Sequence, residues 1–138
     1  IELFVGLYQT HIEPMALLEK VNLVDKAKSK FKELSGGQKQ RISIARALIK
    51  APDLFIFDDC LSAVDANTEK TILNNLSQLM QGKTALFITH RIFFNFHFDL
   101  IIYLEDGHIA ESGTHESLLA KQGLYAELYH TQLSQNQQ

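Results

Sequence analysis

Little in this sequence could staple the chain together or hold it in lipid. Cys60 is the only cysteine, which excludes an internal disulfide and a cysteine zinc site. A lone thiol fits a reducing, cytosolic setting. No apolar run is longer than the five residues Leu100 to Leu104. A bilayer-spanning helix needs roughly 20, so none is expected. A basic excess is missing as well. Lys and Arg number 13 against 16 Asp and Glu, a formal charge of −3. A nucleic-acid surface is therefore not indicated. The opening Ile1-Glu-Leu-Phe-Val5 has no basic stretch and no small-residue cleavage site, which predicts no signal peptide. It has no initiator Met either, which predicts a fragment. What is present is a globular composition, 46% apolar and 21% charged, over 138 residues. That length suits one domain and is too short for two.

Residues 1–33 are expected to be helical. Pro14 suits a first helical turn, where its missing N–H costs nothing. Met15, Leu17, Leu18 and Val21 follow as an apolar stripe. Lys26, Lys28, Lys30 and Lys32 read as a solvated loop or face. At Leu34-Ser-Gly-Gly-Gln38 a loop opens a second helix, with Ser35 as its N-cap and two glycines that permit close approach. Ile42, Ala45, Leu48 and Ile49 repeat at helical spacing, and Pro52 stops the helix. Leu54 to Phe57 is apolar at every position, the pattern of a parallel strand covered on both faces. Asp58 and Asp59 end it. Ser62 to Asp65 turns into a helix whose inner stripe is Ile72, Leu73, Leu76, Leu79 and Met80, with Gly82 just past its end. Thr84 to Thr89 reads as another buried strand, ending at His90, and Leu100 to Leu104 as a third. Glu105-Asp-Gly-His108 predicts a hairpin, returning along His108 to Ser112. Thr114 is placed to cap a short helix, Gly123 breaks it, and Leu124, Tyr125 and Leu128 seed the last one. Ser134 to Gln138 is expected to fray. Strands alternating with helices predict an α/β sandwich.

Four elements in this order carry the chemistry. They are Leu34-Ser-Gly-Gly-Gln38, four apolar residues before Asp58-Asp59, Ser62-Ala-Val-Asp65, and Ile88-Thr-His90. Ser35, Gly36 and Gly37 offer a hydroxyl and bare N–H groups at a helix N-terminus, which suits phosphate oxygens. A carboxylate such as Asp58, at the C-terminal end of a strand, lies where α/β sheets bind ligands. Read without that context, Ser35 and Asp65 are ordinary helix caps, and Asp58 simply ends a strand. His11, His97, His108, His115 and His130 have no ligand spacing and read as surface or packing residues. Cys60 lies beside the site and is assigned no chemistry.

Together with Lys39 to Leu48 after the first motif, the set resembles the second half of an ATP-binding cassette (ABC) nucleotide-binding domain. From residue 34 onward the likeness is to ABC exporters, and Gly107 to Leu119 looks like the exporter C-terminal pattern. Residues 1–33 depart from it and look more like the helical region of other ABC ATPases. The resemblance implies a partial P-loop NTPase sandwich with a parallel sheet core and flanking helices. It implies a helical subdomain over 1–50, the second half of the RecA-like core over 51–113, and C-terminal helices and tail over 114–138. It implies ATP and Mg²⁺ as cofactors. Ser35, Gly36, Gly37 and Gln38 would form the signature loop, facing the γ-phosphate of ATP held by a partner. Asp58 would be the Walker B carboxylate for Mg²⁺, bound through water. Asp65 would belong to the D-loop, which contacts the partner, and His90 would be the switch histidine. Asp59 stands where the family has a catalytic Glu. It is one methylene shorter, and roughly 1 Å of misplacement can cost about 100-fold in rate.

The chain contains no GxxxxGK[ST] phosphate loop. Gly82-Lys83-Thr84 closes a helix and precedes a strand, the reverse of the required context. The expected function is therefore part of an ABC transporter ATPase, inactive alone, at the cytoplasmic face of a membrane. Its partners would be a second nucleotide-binding domain, in a homo- or heterodimer, and a transmembrane permease domain, with no nucleic acid. Half a parallel sheet would leave apolar faces uncovered. One alternative is a non-hydrolytic regulatory or dimerising lobe that completes a partner's ATP site. Another is a chromosome-maintenance or DNA-repair ATPase, but residues 1–33 show no sustained heptad to support it.

Overall fold

The computed structural model describes residues 13–94 and 96–135. The chain divides into two compact units, Ile1–His90 and Arg91–Gln138. His11 and the opening third of the expected N-terminal helical region lie outside the described residues, as do the last three residues of the tail.

In the first unit, helix α1 (Pro14–Lys20) starts with Pro14 in its first turn. It is short, and two 3₁₀ turns, Val24–Lys26 and Phe31–Glu33, replace the continuous helix expected there. The reason lies at Asn22, whose positive φ of 54° ends the α-helical path. Leu17, Leu18, Val21 and Leu23 are buried, whereas Met15 is exposed. Helix α2 (Gly36–Leu48) follows, with Ile44, Ala45 and Leu48 inward. Arg41 extends from it, and its guanidinium donates to the carbonyls of Val21 (3.3 Å) and Asn22 (2.7 Å). That contact fastens the turn after α1 to α2.

Strand β1 (Leu54–Asp58) leads through a turn to helix α3 (Ala66–Leu79) and then to strand β2 (Thr84–Ile88). The strands pair in parallel, Leu54 opposite Thr84 through Asp58 opposite Ile88. The stripe of α3 is buried at Ile72, Leu73 and Leu76, while Leu79 is partly exposed. Asn75 Nδ2 donates to the Lys20 carbonyl and so closes the end of α1.

The expectation that these strands are covered on both faces is not met. Phe55 and Phe57 are buried, but Leu54 and Ile56 are 53% and 61% exposed, and Leu86 and Ile88 are each 49% exposed. The pair has one covered face and one open apolar face. An all-apolar strand suits a sheet covered on both faces, and among the described residues of this unit only two strands pair.

In the second unit, β3 (Ile101–Glu105) and β4 (His108–Gly113) form an antiparallel hairpin. Asp106 and Gly107 both have positive φ, 47° and 76°, as a type I′ turn requires. Leu100, Ile102, Leu104 and Ile109 are exposed, so the third strand is not buried either. Helix α4 (His115–Lys121) is capped by Thr114, whose hydroxyl accepts from the Ser117 N–H. Helix α5 (Leu124–Gln135) starts on Glu111, whose carboxylate accepts from the N–H groups of Leu124 and Tyr125. That carboxylate lies where a Cβ on residue 123 would sit, so a larger residue there would displace it from the helix start. His115 is a packing residue, with Nδ1 2.8 Å from the Tyr125 hydroxyl.

Candidate functional site

Every candidate residue lies in the first unit. Ser35 caps α2 as its sequence suggested. Its hydroxyl accepts from the Gln38 N–H at 3.2 Å, and the Gln38 side chain accepts from the Ser35 N–H at 2.9 Å. This reciprocal pair fixes the helix start and leaves the Ser35 proton available to an incoming acceptor. A Cβ at Gly36 would meet nothing within 4 Å, so the first turn opens onto free space. Gly37 differs, because a Cβ there would collide with the carbonyl oxygen of Ala63. Gly37 therefore lets α2 lie directly on the turn between β1 and α3.

Asp58 is exposed at the C-terminal end of β1. Asp59 follows with φ at +45°, a left-handed conformation that costs energy for any residue with a Cβ. Its N–H donates to the Ile88 carbonyl at 2.8 Å, which extends the β1–β2 pairing by one bond. Its carbonyl accepts from the Ser62 N–H (3.3 Å) and the Ser62 hydroxyl (3.0 Å). The backbone bend brings the Asp59 carboxylate to His90, with Oδ1 3.2 Å from Nδ1. Both side chains are open to solvent, 43% and 70% exposed. Two groups that follow different strands, Asp59 after β1 and His90 after β2, thus meet in space.

Asp65 caps α3, its carboxylate accepting from the Thr68 N–H at 3.0 Å. That hydrogen bond holds its carboxyl below the ordinary aspartate range. Burial pushes the Cys60 thiol up to about 11, with the carboxylates of Asp59 and Asp58 adding to the rise. Cys60 stays a neutral thiol. Lys83 is engaged elsewhere: its Nζ donates to the carbonyls of Ala51 (2.9 Å) and Pro52 (2.7 Å). It ties the loop before β1 to the start of β2. One partner went unnoticed in the sequence. Gln40 in α2 donates from Nε2 to the Ser62 hydroxyl at 3.1 Å and accepts at Oε1 from the Ala63 N–H at 3.1 Å.

The family model "ABC transporter" matches residues 9–62. A Bacillus subtilis protein named as a probable multidrug resistance ABC transporter ATP-binding/permease protein is 54% identical over 99 residues, covering 72% of this chain and 17% of its own length. An ATP-dependent lipid A-core flippase of Saccharophagus degradans is 48% identical over 101 residues, covering 73% of this chain and 17% of its own. A bacterial Atm1-family ABC exporter, solved with ATP bound, superposes with a TM-score of 0.78 at 30% identity, covering 94% of this chain and 25% of that one.

The chain belongs to the ABC transporter family.

Its α/β architecture is that of a partial P-loop ATPase, as the exporter superposition shows. The chain spans about a sixth of the length of these two curated relatives. The family match begins at residue 9, and the exporter superposition reaches into the segment ahead of residue 34. Among the described residues no cluster of three or more His, Cys, Asp or Glu could cage a metal ion. A single exposed carboxylate, Asp58, suits a hydrated Mg²⁺ carried in on phosphates, since Mg²⁺ keeps several waters and is held through one or two carboxylates. The open helix end at Ser35 and Gly36 suits an anionic phosphate. The residues present fit both groups. No described helix is long and apolar enough to cross a membrane.

Proposed function

We propose that this chain is the lobe of an ABC exporter ATP-binding domain that carries the signature loop, the Walker B carboxylate, the D-loop and the switch histidine. Coupling to transport, a second nucleotide-binding domain, a permease and a position on the cytoplasmic face of a membrane follow from that reading. The observation that carries it is the Asp59–His90 pair at 3.2 Å, set beside a signature helix whose first turn is capped and open.

The reaction is attack of water on the γ-phosphorus of ATP, with ADP leaving. Asp58 would hold Mg²⁺, which would supply neutralisation of the phosphate charge. Asp59 orients the attacking water and accepts its proton. His90 serves the γ-phosphate as a hydrogen-bond donor. Ser35 and the N–H groups of Gly36 and Gly37 serve ATP held on the opposing domain, where the partial positive charge of the helix end adds to their pull. Asp65 keeps the D-loop turn in place by capping α3.

A second reading has one observation in its favour. Asp59 is short and bent back onto His90, and such a carboxylate reaches less far toward water than Glu would. In that reading the lobe dimerises and completes a partner's site without hydrolysing at its own.

Titration of Mg-ATP into the 138-residue chain by calorimetry tests the assignment of parts. No binding is expected up to about millimolar nucleotide, a free energy near −4 kcal/mol, because the phosphate cradle comes from elsewhere. Micromolar binding would overturn the proposal and make residues 9–33 or 82–84 the place to look for a cradle.

A further inference from the structure

We propose that Gln40 is a positioning residue: through Ser62 it couples the signature helix to the backbone of Asp59, the carboxylate nearest the attacking water. This rests on the reading of the site as an ATPase lobe. The path is continuous. Gln40 Nε2 donates to Ser62 Oγ at 3.1 Å, and Ser62 Oγ donates to the Asp59 carbonyl at 3.0 Å. Asp59 then meets His90 at 3.2 Å. A hydroxyl has one proton and two acceptor sites. With the Ser62 proton given to Asp59, only a donor can fill the remaining place, and Gln40 supplies it.

The amide is matched to this location on both its atoms. Gln40 Oε1 accepts the Ala63 N–H at 3.1 Å. Turning the amide over would set two donors against each other at Ala63, so that N–H fixes the orientation. An amide is a side-chain group that both donates and accepts in one plane. A carboxylate would draw the Ser62 proton away from Asp59, and alanine would supply neither bond.

Two features make the contact more than local packing. Asp59 sits at φ +45°, a conformation that persists only where its surroundings hold it. Ser62 provides two of the three backbone bonds that do so, and Gln40 orients Ser62. Gln40 is also on the same rigid helix as Ser35 and Gly36, and Gly37 seats that helix on the Ala63 carbonyl. A small displacement of the helix on phosphate capture at its N-terminus is thereby delivered to residues 62 and 63, and from there to Asp59. One end of this coupling is the loop that serves the opposing nucleotide, and the other is the water-facing carboxylate of this lobe's own.

The test uses the protein that carries this chain. Gln40→Ala should lower kcat for ATP hydrolysis about tenfold, with KM within about twofold, because the phosphate donors remain while the carboxylate loses its place. Ser62→Ala should cause a similar loss. The double variant should lose no more than about twofold beyond the worse single one, because both act along one path. Gln40→Glu keeps the Ala63 bond and should fall between the parent and Gln40→Ala. Amide hydrogen exchange gives a readout independent of hydrolysis. In Gln40→Ala the Ala63 N–H should exchange at least about tenfold faster, with Leu73 and Leu76 unchanged. Unchanged kcat, losses that multiply, or unchanged Ala63 protection would each overturn the proposal. A His90→Ala control separates the two claims. Hydrolysis indifferent to that change means the ATPase reading has failed, and the exchange measurement then decides the Gln40 path alone.

Discussion

Asp59 is where one residue decides the most. Its neighbours hold it in a left-handed conformation and present its carboxylate to His90, yet its side chain is one methylene shorter than Glu. Misplacement by about 1 Å can cost about 100-fold in rate. Replacing Asp59 by Glu should therefore raise hydrolysis by the protein that carries this chain, by at least about tenfold. A steady-state phosphate-release assay checks this, and an equal or lower rate would show that Asp is competent as it stands. Residues were legible in the sequence where their reasons were local. Ser35 and Gln38 are three apart, the spacing at which a cap and its reciprocal partner must meet. Gln40 and Ser62 are 22 apart, and nothing in their identities announces that contact. The bend at Asp59 was equally hidden, because a left-handed aspartate is imposed by its surroundings and has no sequence mark.

Among the elements, α3 shows how a cap ties architecture to site. Asp65 fixes its first turn through the Thr68 N–H, directly after the connection from β1 that carries Ser62 and Ala63. The folded-state pKa of Asp65 is lowered from its ordinary value of 3.8. Its contribution is thus complete above that value and is lost only as pH falls through the lower, folded one. The Thr68 amide resonance, followed by NMR, should stay constant through neutral and mildly acidic pH and shift with a midpoint below 3.8. A midpoint at or above that value would show that the cap is not formed. Elements were legible where periodicity and punctuation agreed. Helices α2 and α3 and the hairpin turn at Asp106-Gly107 lie within a residue or two of their expected places. The helix expected through residue 33 gave way to 3₁₀ turns, since lysine-rich text is equally at home on a helix face and in a turn.

At the scale of the whole molecule, apolar strand faces lie open, and the chain spans about a sixth of the length of the relatives named above. Leu54, Ile56, Leu86 and Ile88 carry the pattern of a sheet interior but are half exposed or more in this chain. Composition cannot reveal such a difference, because the residues record the environment of a complete sheet. What this chain does display is a capped helix end that is open at Gly36. The central claim is that ATP phosphates meet it. Gly36→Asp separates this claim from a merely structural one, because its two expected effects have opposite signs. An acidic residue in the first turn of a helix is favourable by about 0.3–1 kcal/mol, and the open space accepts the side chain. The same negative charge repels a phosphate. The decisive measurement is ATP hydrolysis by the Gly36→Asp form of the protein that carries this chain, alongside its thermal unfolding midpoint. The account predicts an unchanged or raised midpoint with hydrolysis lowered at least about tenfold, a loss of about 1.4 kcal/mol in transition-state stabilisation. Hydrolysis equal to the parent's would contradict it.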